Sequence, residues 1–147
     1  MIRQATKADI DPMIELAREM WTESRYKEKG NLDTEKLTEL ANILIDHKSG
    51  IIFVYEVAEN IVGMFLGLVE EQFFNRTLKA VDLALYVCPE HRSATIGAKL
   101  IQQYVQQAKE LGAIDIVIAN STDINQRQVC QLYEAVGFKQ VGGVYVY

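Results

Sequence analysis

Residues 88–98 read CPEHRSATIGA and stand between an alternating apolar run, VDLALYV (81–87), and a long amphipathic one, KLIQQYVQQAKEL (99–111). Apolar alternation over seven residues is the pattern of a strand. Gly97, Leu100, Ile101, Tyr104, Val105, Ala108 and Leu111 recur at the i, i+3, i+4, i+7 spacing of a helix, and Gly112 supplies the left-handed residue past its end. A strand that passes through an arginine and a short glycine-containing turn into a helix is a common phosphate cradle. The first helical turn has free N–H groups and the positive end of the helix dipole.

On the N-terminal side, IRQA (2–5) reads as a short strand, and Asp9 or Asp11 is placed to cap a helix with Pro12 in its first turn. Ile10, Met13, Ile14, Ala17 and Trp21 line one face of that helix, and Leu37, Leu40, Ala41, Leu44 and Ile45 line a second after a polar loop around Gly30. GIIFVYEVAENIVGMFLGLVEE (50–71) is two β-branched and aromatic runs about Glu59-Asn60, a hairpin. A strand over roughly Ala80 to Val87 follows. On the C-terminal side IDIVIAN (114–120) reads as a buried strand. Asn125 then opens a helix carrying Val129, Leu132, Tyr133 and Val136, and FKQVGGVYVY (138–147) is expected to close the chain as one or two short strands. The order β-α-α-β-β-β-α-β-α-β predicts one α/β domain over residues 1–147, a mixed sheet with helices on both faces. Only the unit from Ala80 to Asn120 needs to be a parallel, right-handed crossover.

Composition narrows the class. The chain has 147 residues, 49% of them hydrophobic, and a formal net charge of −5. A nucleic-acid surface needs a basic face, so no nucleic-acid partner is expected. The charged opening MIRQATKADID lacks the apolar block of a signal peptide, and no apolar run approaches the ~20 residues of a membrane span. A cytoplasmic protein without membrane association is expected. Cys88 and Cys130 form no CxxC and have no adjacent His pair, so neither a disulfide framework nor a metal site is supported. His91 reads as an exposed residue of the turn.

Three motifs, in order, resemble the GNAT superfamily of N-acetyltransferases over essentially the whole chain: IRQATKADIDPMIEL (2–16), LYVCPEHRSATIGAKLI (85–101) and NQRQVCQLYEAVGF (125–138). The second is similar to the family's acetyl-CoA motif, R/Q-x-x-G-x-G/A after a strand ending in V-x-P; Thr95 stands at its first glycine and Ser93 where a glycine often follows the arginine. The resemblance implies a mostly antiparallel mixed sheet with a splayed parallel pair. It implies acetyl-CoA as cosubstrate, with its pyrophosphate on the turn Arg92, Ser93, Ala94, Thr95, Ile96, Gly97 and Ala98. The pantetheine arm would pair with the strand edge at Leu85, Tyr86 and Val87, where a backbone N–H near Tyr86 or Val87 would polarise the acetyl carbonyl.

By the same resemblance Tyr133 would protonate the departing sulfur, although its place on the apolar stripe with Leu132 and Val136 also fits core packing. An amine acceptor arrives as an ammonium of pKa near 10 and must lose a proton before it attacks. Asp82, sharing a strand face with Ala84 and Tyr86, is one acceptor for that proton; Glu70 and Glu71 are others. Asn120 and Asn125 serve equally as cofactor contacts or as strand-end and helix-cap residues. The family places the acceptor between roughly Trp21 to Asn31 and Glu70 to Lys79, which nominates Trp21, Tyr26, Glu70 and Phe73. The implied activity is direct acetyl transfer to a small-molecule or protein amine. The alternative is a non-catalytic protein of the same fold that binds a partner or a CoA ligand, and a homodimer through the closing strands is left open. A nucleotide-binding reading has neither GxGxxG nor GxxxxGK[ST] behind it.

Overall fold

The computed structural model describes residues 1–147. Its sheet has five strands in the order β1 (Ile2–Gln4), β2 (Gly50–Val57), β3 (Asn60–Glu71), β4 (Leu78–Val87) and β5 (Ala113–Ile116). The first three pairings are antiparallel and β4 runs parallel to β5. Helices α1 (Ile10–Glu23) and α2 (Thr34–Asp46) cover one face, and α3 (Ala94–Glu110) and α4 (Gln126–Val136) lie on the other side. The mixed sheet with one parallel pair and helices on both faces is the architecture expected.

Alternation sorts the sheet residues between two cores. Ile52, Val54, Met64, Leu66 and Tyr86 pack with Met13, Leu16 and Leu44 under α1 and α2. Ile51, Phe53, Phe65 and Val87 pack with Leu100, Tyr104 and Ala108 of α3. The stripe read on α3 is thus the buried one, and Gly112 ends it at φ +89°. Asp9 does not cap α1 in the ordinary way. Its carboxylate accepts both guanidinium nitrogens of Arg3 at 2.8 Å and the Thr6 N–H at 2.7 Å, which pins the start of α1 to β1.

Two expectations fail. Residues 138–147 form no strand: Gly142-Gly143 breaks the run, and Val141, Val144, Tyr145 and Tyr147 lie exposed with no partner strand. The strand expected to reach Asn120 ends at Ile116, and β4 begins at Leu78 rather than Ala80. β5 stops because the chain there leaves β4. The parallel ladder runs only from Leu78↔Ala113 to Ala80↔Ile116.

The Arg3 guanidinium holds the Asp9 carboxyl well below the usual carboxylate range, against an opposing push from burial. A depressed acid contributes stability above its unfolded pKa of about 3.9 and loses it as pH falls below that value. Asp9→Asn should therefore destabilise the protein by about 1–3 kcal/mol at pH 7 and flatten its acid unfolding below about pH 4, read by urea titration.

Candidate active site

Beyond Ala80 the two parallel strands diverge. Val117 donates the last rung, to the Ala80 carbonyl at 3.0 Å, and side chains then replace the ladder. Tyr104 donates its hydroxyl to the Val117 carbonyl at 2.6 Å, Asp82 accepts the Ala119 N–H at 2.9 Å, and Tyr133 donates to the Ala119 carbonyl at 2.8 Å. The splay opens a cleft of about 740 Å³, lined among others by Asp82, Leu85, Tyr86, Val87, Arg92, Ser93, Ala94, Gly97, Asn120, Asn125, Tyr133 and Tyr26. Most of the residues singled out from sequence therefore meet in one cavity.

One wall is an open strand edge. Cys88 donates its N–H to Val62 of β3, so Tyr86 and Ala84 also point their main-chain groups at β3, while Leu85 and Val87 present theirs to the cleft. The N–H available to polarise a carbonyl is that of Val87 or Leu85; the expectation for Tyr86 is corrected by this parity. Tyr86 instead sends its ring into the α1 core and donates its hydroxyl to Glu23.

At the head of the cleft, Ser93 caps α3 by accepting the Ile96 N–H at 3.3 Å, and its carbonyl accepts that of Gly97 at 3.2 Å. Of the four N–H groups without intrahelical acceptors, only that of Ile96 is held, and those of Ser93, Ala94 and Thr95 remain free. Thr95 is helical and exposed and needs no positive φ, so a β-carbon is compatible with the backbone there. Ile96 packs toward the α3 core, and Thr95, Ile96 and Ala98 do not line the cleft with their side chains. Gly97 serves the contact between helices: a β-carbon on it would stand 2.7 Å from Cδ2 of Leu132 on α4.

Arg92 is turned away from the helix start. Its guanidinium grips Glu23 with contacts of 2.8 and 3.1 Å, its Nε donates to the Val87 carbonyl at 3.1 Å, and it lies 5.3 Å from the Tyr86 ring centroid. The Arg92 hydrogen bonds hold the Glu23 carboxyl below its ordinary range. Glu23 begins a strap across the splay. Arg25 donates from Nε to the Ser121 carbonyl at 2.6 Å and from its N–H to Thr122, and the Tyr26 hydroxyl meets that of Ser121 at 2.9 Å. The Glu23–Arg92 grip and the Arg25 contacts were not foreseen; nothing local in sequence marks a contact spanning 69 or 96 residues.

The shared face proposed for Asp82 is also corrected. A bulge makes Leu66 oppose Ala84 but Gly67 oppose Asp82, so Leu83 is an extra residue and Asp82 points opposite to Ala84 and Tyr86. Burial pushes its carboxyl upward, while the Ala119 N–H opposes that push. Burial likewise raises the Tyr133 hydroxyl, with the Asp82 charge adding to the effect. The Asn120 Nδ2 is buried without a partner. Asn125 occupies the N-cap position of α4 in the left-handed region, φ 46°, and its side chain makes no capping bond.

Trp21, Glu70 and Phe73 do not line the cleft. One residue of helical rotation puts Met20 there instead of Trp21. Glu70 opposes Lys79 at the far end of the β3–β4 hairpin and pairs with it at 3.4 Å. Phe73 sits at the hairpin tip, 94% exposed, and Glu71 faces Arg76 at 3.7 Å.

The model of the acetyltransferase (GNAT) family matches residues 10–138, most of the chain and all of this cleft. The chain belongs to that family. A curated relative, human N-acetyltransferase 8, is 26% identical over 130 residues, 86% of this chain, and the chain spans about half (53%) of that protein's length. Among solved structures, the aminoglycoside 6'-N-acetyltransferase AAC(6')-IG from Acinetobacter haemolyticus superposes with a TM-score of 0.76 at 16% identity, covering 100% of this chain and 96% of its own. AAC(6')-Iy, in complex with CoA, gives 0.80 at 14% identity, covering 100% and 92%. At such identities these likenesses establish the fold.

If Glu23 and Arg92 hold each other, their replacements by alanine are not additive. Each single change should destabilise the protein by about 1 kcal/mol, and the double-mutant cycle should return a coupling of about 0.5–1 kcal/mol for this half-exposed pair, measured by denaturant unfolding.

Proposed function

We propose that this GNAT domain transfers the acetyl group of acetyl-CoA directly to an amine. The observation that carries the reading is the splay itself: an unpaired strand edge leads from the free N–H groups of α3 to the Asp82–Ala119–Tyr133 cluster, inside one cleft. Ala94 and Thr95 supply N–H donors for a pyrophosphate, with no carboxylate among the residues of that helix start. Because Arg92 is neutralised by Glu23, those donors carry more of the anion recognition than the arginine does. Leu85 and Val87 offer the pantetheine amides a β-edge, and across the splay, beyond β5, the Asn120 Nδ2 is a buried donor without a partner.

The cosubstrate brings the activated acetyl thioester; the chain positions it and handles protons. Val87 N–H or Leu85 N–H donates to the carbonyl oxygen as charge develops on it. Asp82, made more basic by burial, takes the ammonium proton of the acceptor through the oxygen not engaged by Ala119. Tyr133, whose hydroxyl burial pushes above its ordinary range, passes its proton from Ala119 to the departing sulfur, and the second proton shed by the acetylated nitrogen restores the tyrosine.

Acetyl-CoA at a hundredfold excess over Kd should stabilise the fold by about 2.7 kcal/mol, or about 5–10 °C in Tm. No shift at millimolar acetyl-CoA would overturn the reading. Tyr133→Phe should retain that thermal shift and lower turnover about 10²–10⁴-fold, the contribution of a positioned acid. Unchanged turnover would leave Tyr133 as a packing and ladder residue only. A thermal shift with no turnover on any amine is the result expected of the second reading, a non-catalytic CoA-binding protein, which the commitment of Asp82 and Tyr133 to Ala119 favours.

A further inference from the structure

We propose that the acceptor is a small molecule presenting a single protonatable amine on an apolar body, and not a polycation or a polypeptide; this rests on the acetyl-transfer reading above. The cleft wall holds one carboxylate, Asp82, and one cation, Arg92, whose charge Glu23 balances. Met20, Leu83 and Ile124 contribute apolar surface from three separate segments, and the remaining polar lining is neutral amide and hydroxyl. The carboxylates that would have suited a polycation are elsewhere: Glu70 faces Lys79 and Glu71 faces Arg76 at the other end of the hairpin.

One ammonium entering this cleft finds Asp82. A second or third would be stripped of water against neutral or apolar wall, and a charge desolvated without a partner is strongly disfavoured. Size points the same way. The 740 Å³ must also take the pantetheine arm, and such a volume ordinarily houses one drug-sized ligand. The strap from Glu23 to Tyr26 bounds the cleft on the α1 side through Ser121 and Thr122, so an extended chain would have to break the Arg25 and Tyr26 bonds to lie across it.

The test follows CoA release from acetyl-CoA by the full chain with 2-phenylethylamine, spermidine, an aminoglycoside and a lysine-containing peptide, at low and high salt. The expected result is a kcat/KM for phenylethylamine at least ~10-fold above the others, with little salt dependence, since one buried pair is poorly screened. Asp82→Asn, which still accepts from Ala119, should lower phenylethylamine kcat/KM by ~10-fold or more and shift its pH profile. Thr122→Asp adds a carboxylate to the wall while retaining an acceptor for the Ile124 N–H that Thr122 Oγ1 now holds at 3.3 Å; it should move the spermidine-to-phenylethylamine ratio toward spermidine by ~10-fold. Preference of the parent protein for spermidine, the aminoglycoside or the peptide overturns the proposal while leaving acetyl transfer intact. Absence of transfer to all four, with the acetyl-CoA thermal shift present, overturns both.

Discussion

The separation of β4 from β5 is the constraint on which the rest of the molecule depends. Main-chain groups leaving a ladder must find new partners or the strands will not part. Here Tyr104, Asp82 and Tyr133, from α3, β4 and α4, take over the groups of Val117 and Ala119. Tyr104 is fully buried and stacked on Phe65 at 4.4 Å, so the first of these props is fixed by the core beneath it. The cleft is therefore wedged open by the fold rather than by a ligand. Asp82 and Tyr133 thus hold structural hydrogen bonds, which the proposed transfer would require them to share or surrender.

The second consequence concerns charge. On the proposed reading, a chain of net charge −5 binds a highly anionic cosubstrate. The arginine best placed by sequence to help is committed to Glu23 and to the Val87 carbonyl. That commitment fastens the turn before α3 to the last residue of α1, and the next residues of the same segment fasten to Ser121 and Thr122. Both sides of the splay are thereby tied to one short strap. Disturbing Glu23 would therefore reach the turn before α3 and the segment of Ser121 and Thr122 together.

Elements with strong local periodicity were legible in the sequence. The α3 stripe, the hairpin about Glu59-Asn60 and the glycine past α3 all reappear where expected. So did the clustering of the turn, the β4 edge and Tyr133, because the three motifs fix their order along the fold. What escaped is pairwise and non-local. The bulge that turns Asp82 away from Ala84 is a property of the β3–β4 register, decided by which residues oppose one another, and period-two reading of β4 alone gets that face wrong. The Glu23–Arg92 grip joins two exposed-looking polar residues. The final VYVY has the residues of a strand but pairs with neither outer edge of the sheet, and propensity is realised only against a neighbour.

In the proposed transfer, proton donation by Tyr133 is governed by relative rather than absolute acidity. A phenol of ordinary pKa about 10 is a weaker acid than a thiol of about 8.5, so protonating a thiolate from it is uphill by about 2 kcal/mol in water. Burial raises the tyrosine further, which by itself would worsen the transfer. But the departing sulfur develops its negative charge in the same cleft, and desolvation penalises a thiolate as it penalises a phenolate. The two shifts oppose each other in the difference that governs transfer, so the deficit does not grow in proportion to the burial. The Asp82 charge, felt by Tyr133, disfavours an anion at that position and relaxes once Asp82 has taken the proton of the amine. Deprotonation of the acceptor and protonation of the sulfur are thus coupled through one carboxylate, and the Ala119 peptide, held by both side chains, sets the spacing between them.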